Sequence, residues 1–525
     1  MEGMRIDRRD LLKVSFGGAA ALALAACQPL TELQVRTSFD QLLLQLEQQE
    51  PELFAPTADA TDGMVAWGTS YVLQALNERF LRTGRTDYAD LFVQVADCVL
   101  NIRDSVLQRR DWTGKALPIW TVASVYTAMR ANVTDATGTV LAIFALAPLA
   151  HAKSYTIHVL PGTSSFDVRV LDNTGKQVDS VTGLTMDPTS ASYAPRVLRR
   201  RAPTTMSMTC QDVQRSGAMP VAQTVVPRSA RVGFAVHTGM IASPLIEFST
   251  SVAKRGMSSR YGADAARYAR AAASAWLVHA DEVTTDSRGT YVKTPRGTPV
   301  RYDGADVPHN QALALARLGL GVGAHLPSAR TSATKIFQTF AADVRQAGAG
   351  LTWNYFWTKG VCYRGYSAAT GISQYLPAMV GNHGPEDTSH GAIDVLAVLQ
   401  ALDAGIDLGK VTVASLQATL RSLTLASGFS TIVSEVEGST KGARNAPLWS
   451  AVLPPDQRAS YLMMQQDILH HAPPRGSDLL GAAYADALSP SSSIPASVTP
   501  TTSTPSSSNG SSPSPTASLT TPLND

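Results

Sequence analysis

Apolar residues recur at helical spacing in four long stretches of this chain, each opened by a Trp or a His. Trp67 opens WGTSYVLQALNERF, His237 opens HTGMIASPLIEFSTSV, His309 opens HNQALALARLGLGVG and His390 opens HGAIDVLAVLQALDAG. A second, more amphipathic helical stretch follows each one. From Gln311 to Val322 the chain is apolar nearly all round, with Leu313, Leu315, Leu318 and Leu320 among Ala and Gly, which predicts a buried inner helix. The next stretch sets Ile336, Phe337, Phe340 and Val344 on one face and Lys335, Gln338 and Asp343 on others, which predicts an outer helix. The pairs at 67–105 and 390–425 repeat this scheme, and a further pair is expected from Asp456 to Leu488. With segments near 36–49 and 118–131 the count reaches about twelve helices. The expected fold is therefore mainly α, an (α/α) toroid of about five to six helical hairpins, with a superhelical solenoid as the alternative.

The helical period stops between residues 136 and 227. Tyr155-Thr156-Ile157-His158-Val159 and Phe166-Asp167-Val168-Arg169-Val170 alternate strictly, and Asp172-Asn173-Thr174-Gly175 is a turn signal. Gln177 to Val181 returns as a weaker strand. These positions predict a small β-sandwich inserted into the helical domain. The spacing of the openings agrees: His237 to His309 is 72 residues and His309 to His390 is 81. Trp67 to His237 is 170, and removing the 92 residues of the insert leaves 78. The expected organisation is a signal peptide over 1–27, a tether over 28–35, helical parts over 36–135 and 228–488 flanking the insert 136–227, and a Ser/Thr/Pro-rich tail over 489–525. The tail has almost nothing to bury and is expected to be disordered.

The N-terminus bounds the compartment. Arg8-Arg9-Asp10-Leu11-Leu12-Lys13 is a twin-arginine pattern, and the apolar run Val14–Ala26 is too short to span a membrane. Leu24-Ala25-Ala26-Cys27 resembles a bacterial lipobox, which implies cleavage before Cys27, lipid on its sulfur and anchoring at the cell envelope, on its periplasmic or outer side. The alternative is plain signal cleavage near Ala26. Residues 1–27 hold four Lys/Arg and three Asp/Glu, so the remainder carries 40 basic against 39 acidic residues. Such a balance gives no electrostatic case for nucleic acid. Cys98, Cys210 and Cys362 are far apart and lack metal-ligand spacing.

Candidate chemistry gathers at the helix openings. Asp306-Val307-Pro308-His309-Asn310-Gln311 is a helix entry in which Asp306 or Asn310 could serve only as a cap. The functional alternative is His309 moving a proton beside an amide that binds a sugar ring or carboxylate. Trp353, Asn354, Tyr355, Phe356 and Trp357, continued by Tyr363, Arg364 and Tyr366, form an aromatic cluster: a sugar platform or an aromatic plug between helices. Asn382 to His390 is the densest polar stretch of the helical region. A cap explains one of Asp387, Thr388 and Ser389 but not His383, His390 and Glu386 together. Asp62, Trp67 and His237 would complete the rim, with Asp111 in a nearby loop. No metal and no other cofactor is expected, since no HExxH or carboxylate-rich loop accompanies these histidines.

The sequences HNQALALARLGLG, LTWNYFW and EDTSHGAIDV together resemble α/α-toroid carbohydrate-active proteins, namely polysaccharide lyases of the alginate- and heparin-lyase kind and glucuronyl C5-epimerases. The resemblance covers roughly 229–425. It implies a catalytic Asn and His with a Tyr and an Arg, here Asn310, His309, Tyr355 or Tyr363, and Arg364; the order His-Asn is the reverse of the family's. The first hypothesis is a lyase or epimerase acting on a uronate polysaccharide. Asn310 and Arg364 would neutralise the carboxylate, His309 or Tyr355 would take the proton, a Tyr would protonate the leaving oxygen, and His390 would bind or orient. Trp353, Trp357, Tyr363, His237, Trp67 and Asp387 would bind substrate. The second is a glycoside hydrolase pairing Glu386 or Asp387 with Asp62 or Asp111. The third is a lipid-anchored, non-enzymatic glycan-binding protein.

Overall fold

The computed structural model describes residues 37–57, 63–123, 126–148, 154–201, 206–429, 431–438, 443–444, 446–464 and 474–485. The leader, Cys27, the tether to residue 35, Asp62 and the tail from 489 lie outside them.

Helix α1 (Ser38–Gln49) is capped by Thr37, whose hydroxyl accepts from the Asp40 amide. Four two-helix hairpins follow. They are α2 (Ser70–Thr83) with α3 (Thr86–Asn101), α6 (Ala235–Lys254) with α7 (Ser258–Val278), α8 (His309–Gly321) with α9 (Pro327–Asp343), and α11 (Thr388–Asp403) with α12 (Val413–Ala426). Short turns α4 (Asp104–Leu107), α5 (Ala194–Arg200) and α10 (Val361–Arg364) lie between them, and α13 (Pro455–Met464) and α14 (Gly476–Tyr484) end the described chain. The first helix of each hairpin packs on the next, α2 on α6, α6 on α8 and α8 on α11, while α14 packs on α2. Leu313, Leu315, Leu318 and Leu320 of α8 are buried, as are Ile336, Phe337 and Phe340 of α9. Gly239 lets α6 approach α8 very closely, for a Cβ there would stand 2.4 Å from the Ala314 carbonyl.

Residues outside the helical pattern form strands. Sheet one has the order β6-β2-β1-β8, from β1 (Met129–Thr134), β2 (Val140–Pro148), β6 (Met206–Asp212) and β8 (Arg228–Ser229). Sheet two has the order β5-β4-β3-β7, from β3 (Tyr155–Pro161), β4 (Phe166–Asp172), β5 (Gln177–Leu184) and β7 (Gln223–Val225). All pairings are antiparallel. Phe144 and Leu146 from one sheet meet Ile157, Val159, Phe166 and Val168 from the other in a core separate from that of the helices.

The toroid expectation is corrected by these elements. Four two-helix hairpins are present among the described residues rather than five to six. Two four-stranded and four two-stranded sheets make the fold a mixture of α and β instead of mainly α. The helix expected near 118–131 is absent among the described residues of that span. Thr121 is tied by its amide to the Asp104 carboxylate at 3.1 Å, Val122 bridges to Val232, and strand β1 begins at Met129. Its β-branched and aromatic residues suit extended chain better than helix. The sandwich is accordingly wider than 136–227, reaching from Met129 to Ser229.

At the middle of the helical region Arg317, 8% exposed, joins four helices. Its Nε and Nη2 meet Glu247 of α6 at 2.8 Å each, its Nη1 donates to Gln74 of α2 at 2.6 Å, and its Nε donates to Gln400 of α11 at 2.9 Å. Removing one partner from such a set leaves the others short of donors in a largely dry place. Arg317→Met is therefore expected to lower the unfolding free energy by about 3 kcal/mol in urea denaturation, and Arg317→Met with Glu247→Leu to recover most of that loss. Full stability in the single variant would show that the network contributes nothing.

Candidate functional site

Backbone hydrogen bonds bring the third and fourth helix openings together. The His309 amide donates to the Tyr355 carbonyl at 3.1 Å, and the Tyr355 amide to the Gly384 carbonyl at 3.1 Å. The Glu386 amide donates to the Trp353 carbonyl at 3.0 Å, and Glu386 in turn accepts from Val436 at 2.8 Å. The start of α8, the loop around 353–355 and the loop before α11 are thus laced into one unit. His309 begins α8 after Pro308, whose fixed backbone is suited to a helix entry. Asp387 is the N-cap of α11, accepting from the Ser389 and His390 amides at 2.9 and 3.0 Å.

Two His–Asp pairs flank this unit. His390 is about one third exposed, and its Nδ1 bonds Asp387. That bond fixes the ring and leaves Nε2 as its open nitrogen. Burial works against ionisation of Asp387, but the bonds from His390 and Ser389 hold it well below the usual carboxylate range. His309 is buried, with Nε2 on Asp343 at 3.0 Å, and Thr358 also bonds Asp343 through its amide at 3.1 Å. The Tyr355 ring lies 5.7 Å from that of His390. Burial, with the ionised Asp387 nearby adding to it, pushes the Tyr355 phenol well above its ordinary pKa, so it stays protonated.

Beneath them lie two carboxyls with no exposure, Glu386 and Asp394. Asn310, also buried, donates to Glu386 at 3.2 Å, and the Trp353 indole donates to Asp394 at 2.8 Å. Burial, and for Glu386 the charge of Asp394, pushes both pKa values well above the carboxylate range. Glu386, Asp387 and His390 also offer one ligand atom each within 4.8 Å of one another, the spread a metal ion needs. Asp387 is already committed to the helix cap and the imidazole, and Glu386 to Asn310.

The sequence expectations for other residues change on this geometry. Trp353 and Trp357, expected as a sugar platform, are 1% and 3% exposed. Trp353 stacks on Trp449, and Trp357 packs on Tyr291 and Arg288, so neither face is open to a ring. Asn310 is too deep to meet a substrate carboxylate. Tyr363 is half-buried beside His383, and Arg364 is exposed, with Nε donating to the Gly360 carbonyl at 3.2 Å. Asp111 is turned back on its own loop, accepting from the Thr113 and Lys115 amides. Trp67 and His237 stand together at the openings of the first two hairpins, ring against ring at 5.4 Å. Asp394 and Asp343 join the site although the sequence pattern places Asp343 only on the polar side of an outer helix and gives Asp394 no role. A lone Asp in the apolar run of α11 was the available signal for the first.

The chain matches no protein-family model, no curated protein and no solved structure.

The neutral carboxyl pair makes stability depend on pH. In the folded chain Glu386 and Asp394 keep their protons above the values at which the unfolded chain loses them, 4.5 and 3.8. Their contribution is present at low pH and is lost as pH rises from about 4 toward the raised folded values, by at most about 1.4 kcal/mol per unit for each group. Urea unfolding from pH 5 to pH 7 should show Glu386→Gln with a flatter loss of stability than the parent. Parallel slopes would mean that Glu386 is ionised in the fold.

Proposed function

We propose that this protein is a carbohydrate-active enzyme, a lyase or epimerase that acts on a uronate-containing polysaccharide by proton abstraction. The observation that carries the reading is the meeting of an oriented, partly exposed imidazole with a phenol held in its protonated form. His390, steered by Asp387, takes the proton α to the substrate carboxylate through Nε2. Tyr355 supplies the opposite partner, a proton to the leaving oxygen in a lyase or to the opposite face of the carbon in an epimerase. Glu386 and Asn310 hold the Tyr355 side of the site and do not touch substrate. The roles expected for His309 and His390 are therefore exchanged: His309 is spent on Asp343. Arg364, exposed on the adjoining segment, is the group assigned to the substrate carboxylate.

A hydrolase is the weaker reading, because Glu386 has no exposure and Asp111 and Asp387 are taken up by local bonds. A purely binding role is weaker too, since the two tryptophans meant to carry it are buried. Arg8-Arg9 and Leu24-Ala25-Ala26-Cys27 support export and a lipid anchor on Cys27 as part of the same proposal, with the membrane as partner and no nucleic acid. Among the described residues no helix is long and apolar enough to cross a membrane.

The test is incubation with alginate, heparan sulfate, pectin and hyaluronan. Unsaturated ends are followed by ultraviolet absorbance, and exchange at C5 by solvent deuterium incorporation. His390→Gln is expected to lower kcat by about 10²- to 10⁴-fold with little change in melting temperature. Absence of both products on every uronate polymer, or full activity in that variant, would overturn the proposal.

A further inference from the structure

The long stretch between α9 and α11 carries an exposed group that the proposed chemistry leaves idle. Between Asp343 and Glu386 its charged residues are Arg345, Lys359 and Arg364, with no Asp or Glu among them. Two short strands, Gly365–Tyr366 and Met379–Val380, pair antiparallel and draw its two arms together. The arms cross at two glycines. A Cβ on Gly365, whose φ is +79°, would stand 2.6 Å from the Gly381 nitrogen, and one on Gly381 would stand 2.3 Å from the Tyr363 carbonyl oxygen. Asn382 then donates its amide to the Cys362 carbonyl at 3.0 Å, and its side-chain oxygen accepts from the Gly384 amide at 2.9 Å.

This close crossing sets the His383 ring against the Tyr363 ring, with centroids 4.4 Å apart and planes 39° from parallel. Tyr363 is half-buried, but His383 remains exposed. Val380, on the same hairpin, is 92% exposed, more than any other large apolar side chain among the described residues. Arg364 follows Tyr363 in the chain and is exposed as well, its Nε on the Gly360 carbonyl of its own turn. Aromatic and apolar faces grouped in water beside a guanidinium suit a sugar acid, which offers a flat C–H face and a carboxylate. The group adjoins the His390 centre through the backbone. Gly384, next to His383, accepts the Tyr355 amide at 3.1 Å, and the Tyr355 ring stands 5.7 Å from that of His390.

We infer that the Tyr363–His383 pair is the platform for a hexuronate ring, the neighbour of the ring that reacts at His390. The inference rests on the proposed function and deepens it by placing a second sugar. That sugar lies on the open face of His383, Tyr363 backs the imidazole, and Val380 borders it. Arg364 stands between the two sugars, so the polymer is held by its flat face and its charge together. The platform expected of Trp353 and Trp357, which are buried, thus falls to two residues further along the same stretch.

The experiment is NMR of the full chain with carbon-13-labelled histidine, titrated with tetrasaccharides from alginate, pectin, heparan sulfate and hyaluronan. It is recorded in His390→Gln so that no sugar is consumed. The His383 ring signals are identified by their loss in His383→Ala. They are expected to move saturably with at least one tetrasaccharide, and its affinity to fall about tenfold in His383→Ala at an unchanged melting temperature. The carboxyl-reduced form of the same sugar is expected to bind more weakly, having nothing to offer Arg364. His383 signals that stay still with all four, or equal affinity in His383→Ala, overturn the inference even where the parent protein cleaves the polymers. Equal binding of the carboxyl-reduced sugar overturns the assignment to a uronate. Movement of the His383 signals with no turnover by the parent protein supports the platform and overturns the chemistry proposed for His390.

Discussion

Arg317 sets the distances on which the rest of the helical region depends. A single guanidinium takes up both oxygens of Glu247 and the amide oxygens of Gln74 and Gln400, so α2, α6, α8 and α11 are indexed to one point. Its planar fork makes this possible, since it can give several directed hydrogen bonds at once where an ammonium offers a compact point charge. The consequence reaches the site. Asn310 lies seven residues before Arg317 on α8, about 10 Å along the axis, and Asp394 lies six residues before Gln400 on α11. Helices tied together at these points cannot slide past each other, and the Asn310–Glu386 and Trp353–Asp394 bonds are made about two turns nearer the helix N-termini.

The buried carboxyls carry that rigidity into chemistry. A protonated carboxyl donates as well as accepts, and in a dry setting such a bond is strong and directional. Glu386 and Asp394 therefore act as neutral partners that orient Asn310 and, through it, the wall beside Tyr355. Asp387 is the exception. It is ionised because a helix N-terminus and an imidazole share its charge, and the same two bonds direct the His390 ring.

Much of the local structure was legible in the chain. Strict alternation marks Tyr155–Val159 and Phe166–Val170, and both are strands because every second side chain enters the sandwich core. The polar cluster before His390 contains a cap, and Asp387 fills that role. Two kinds of information were not legible. Burial of aromatic residues depends on what the rest of the chain places over them: Trp353 is covered by Trp449, almost a hundred residues further on, and no periodicity announces that. The fate of a carboxylate depends on its partners. Asp343 looks like the polar face of an outer helix, but it turns inward because His309 and Thr358 bond it. The segment 118–131 misled for a third reason, that a tether to Asp104 and pairing with Val232 outweigh a weak helical preference.

The sandwich enters the same argument as a brace. The side of its first sheet that faces away from the sandwich core, at Ala145 and Ala147 with Ala128 beside them, covers Tyr375. The chain leading to Tyr375 is pinned by Asp303, which accepts from the Gln374 and Tyr375 amides at 3.0 Å and from the Gly297 amide at 2.7 Å. Asp306 pins the next segment back through the Val361 amide at 2.6 Å. Two carboxylates and a sheet face thus immobilise a long irregular stretch, 353–387, that supplies Tyr355, Arg364, Glu386 and Asp387. A stretch of that length with only short turns and a two-residue strand pairing would otherwise sample many conformations, at an entropic cost for every residue ordered. Small alanine side chains on the sheet leave room for the Tyr375 ring, so the sandwich holds the loop by close contact while its own core packs independently.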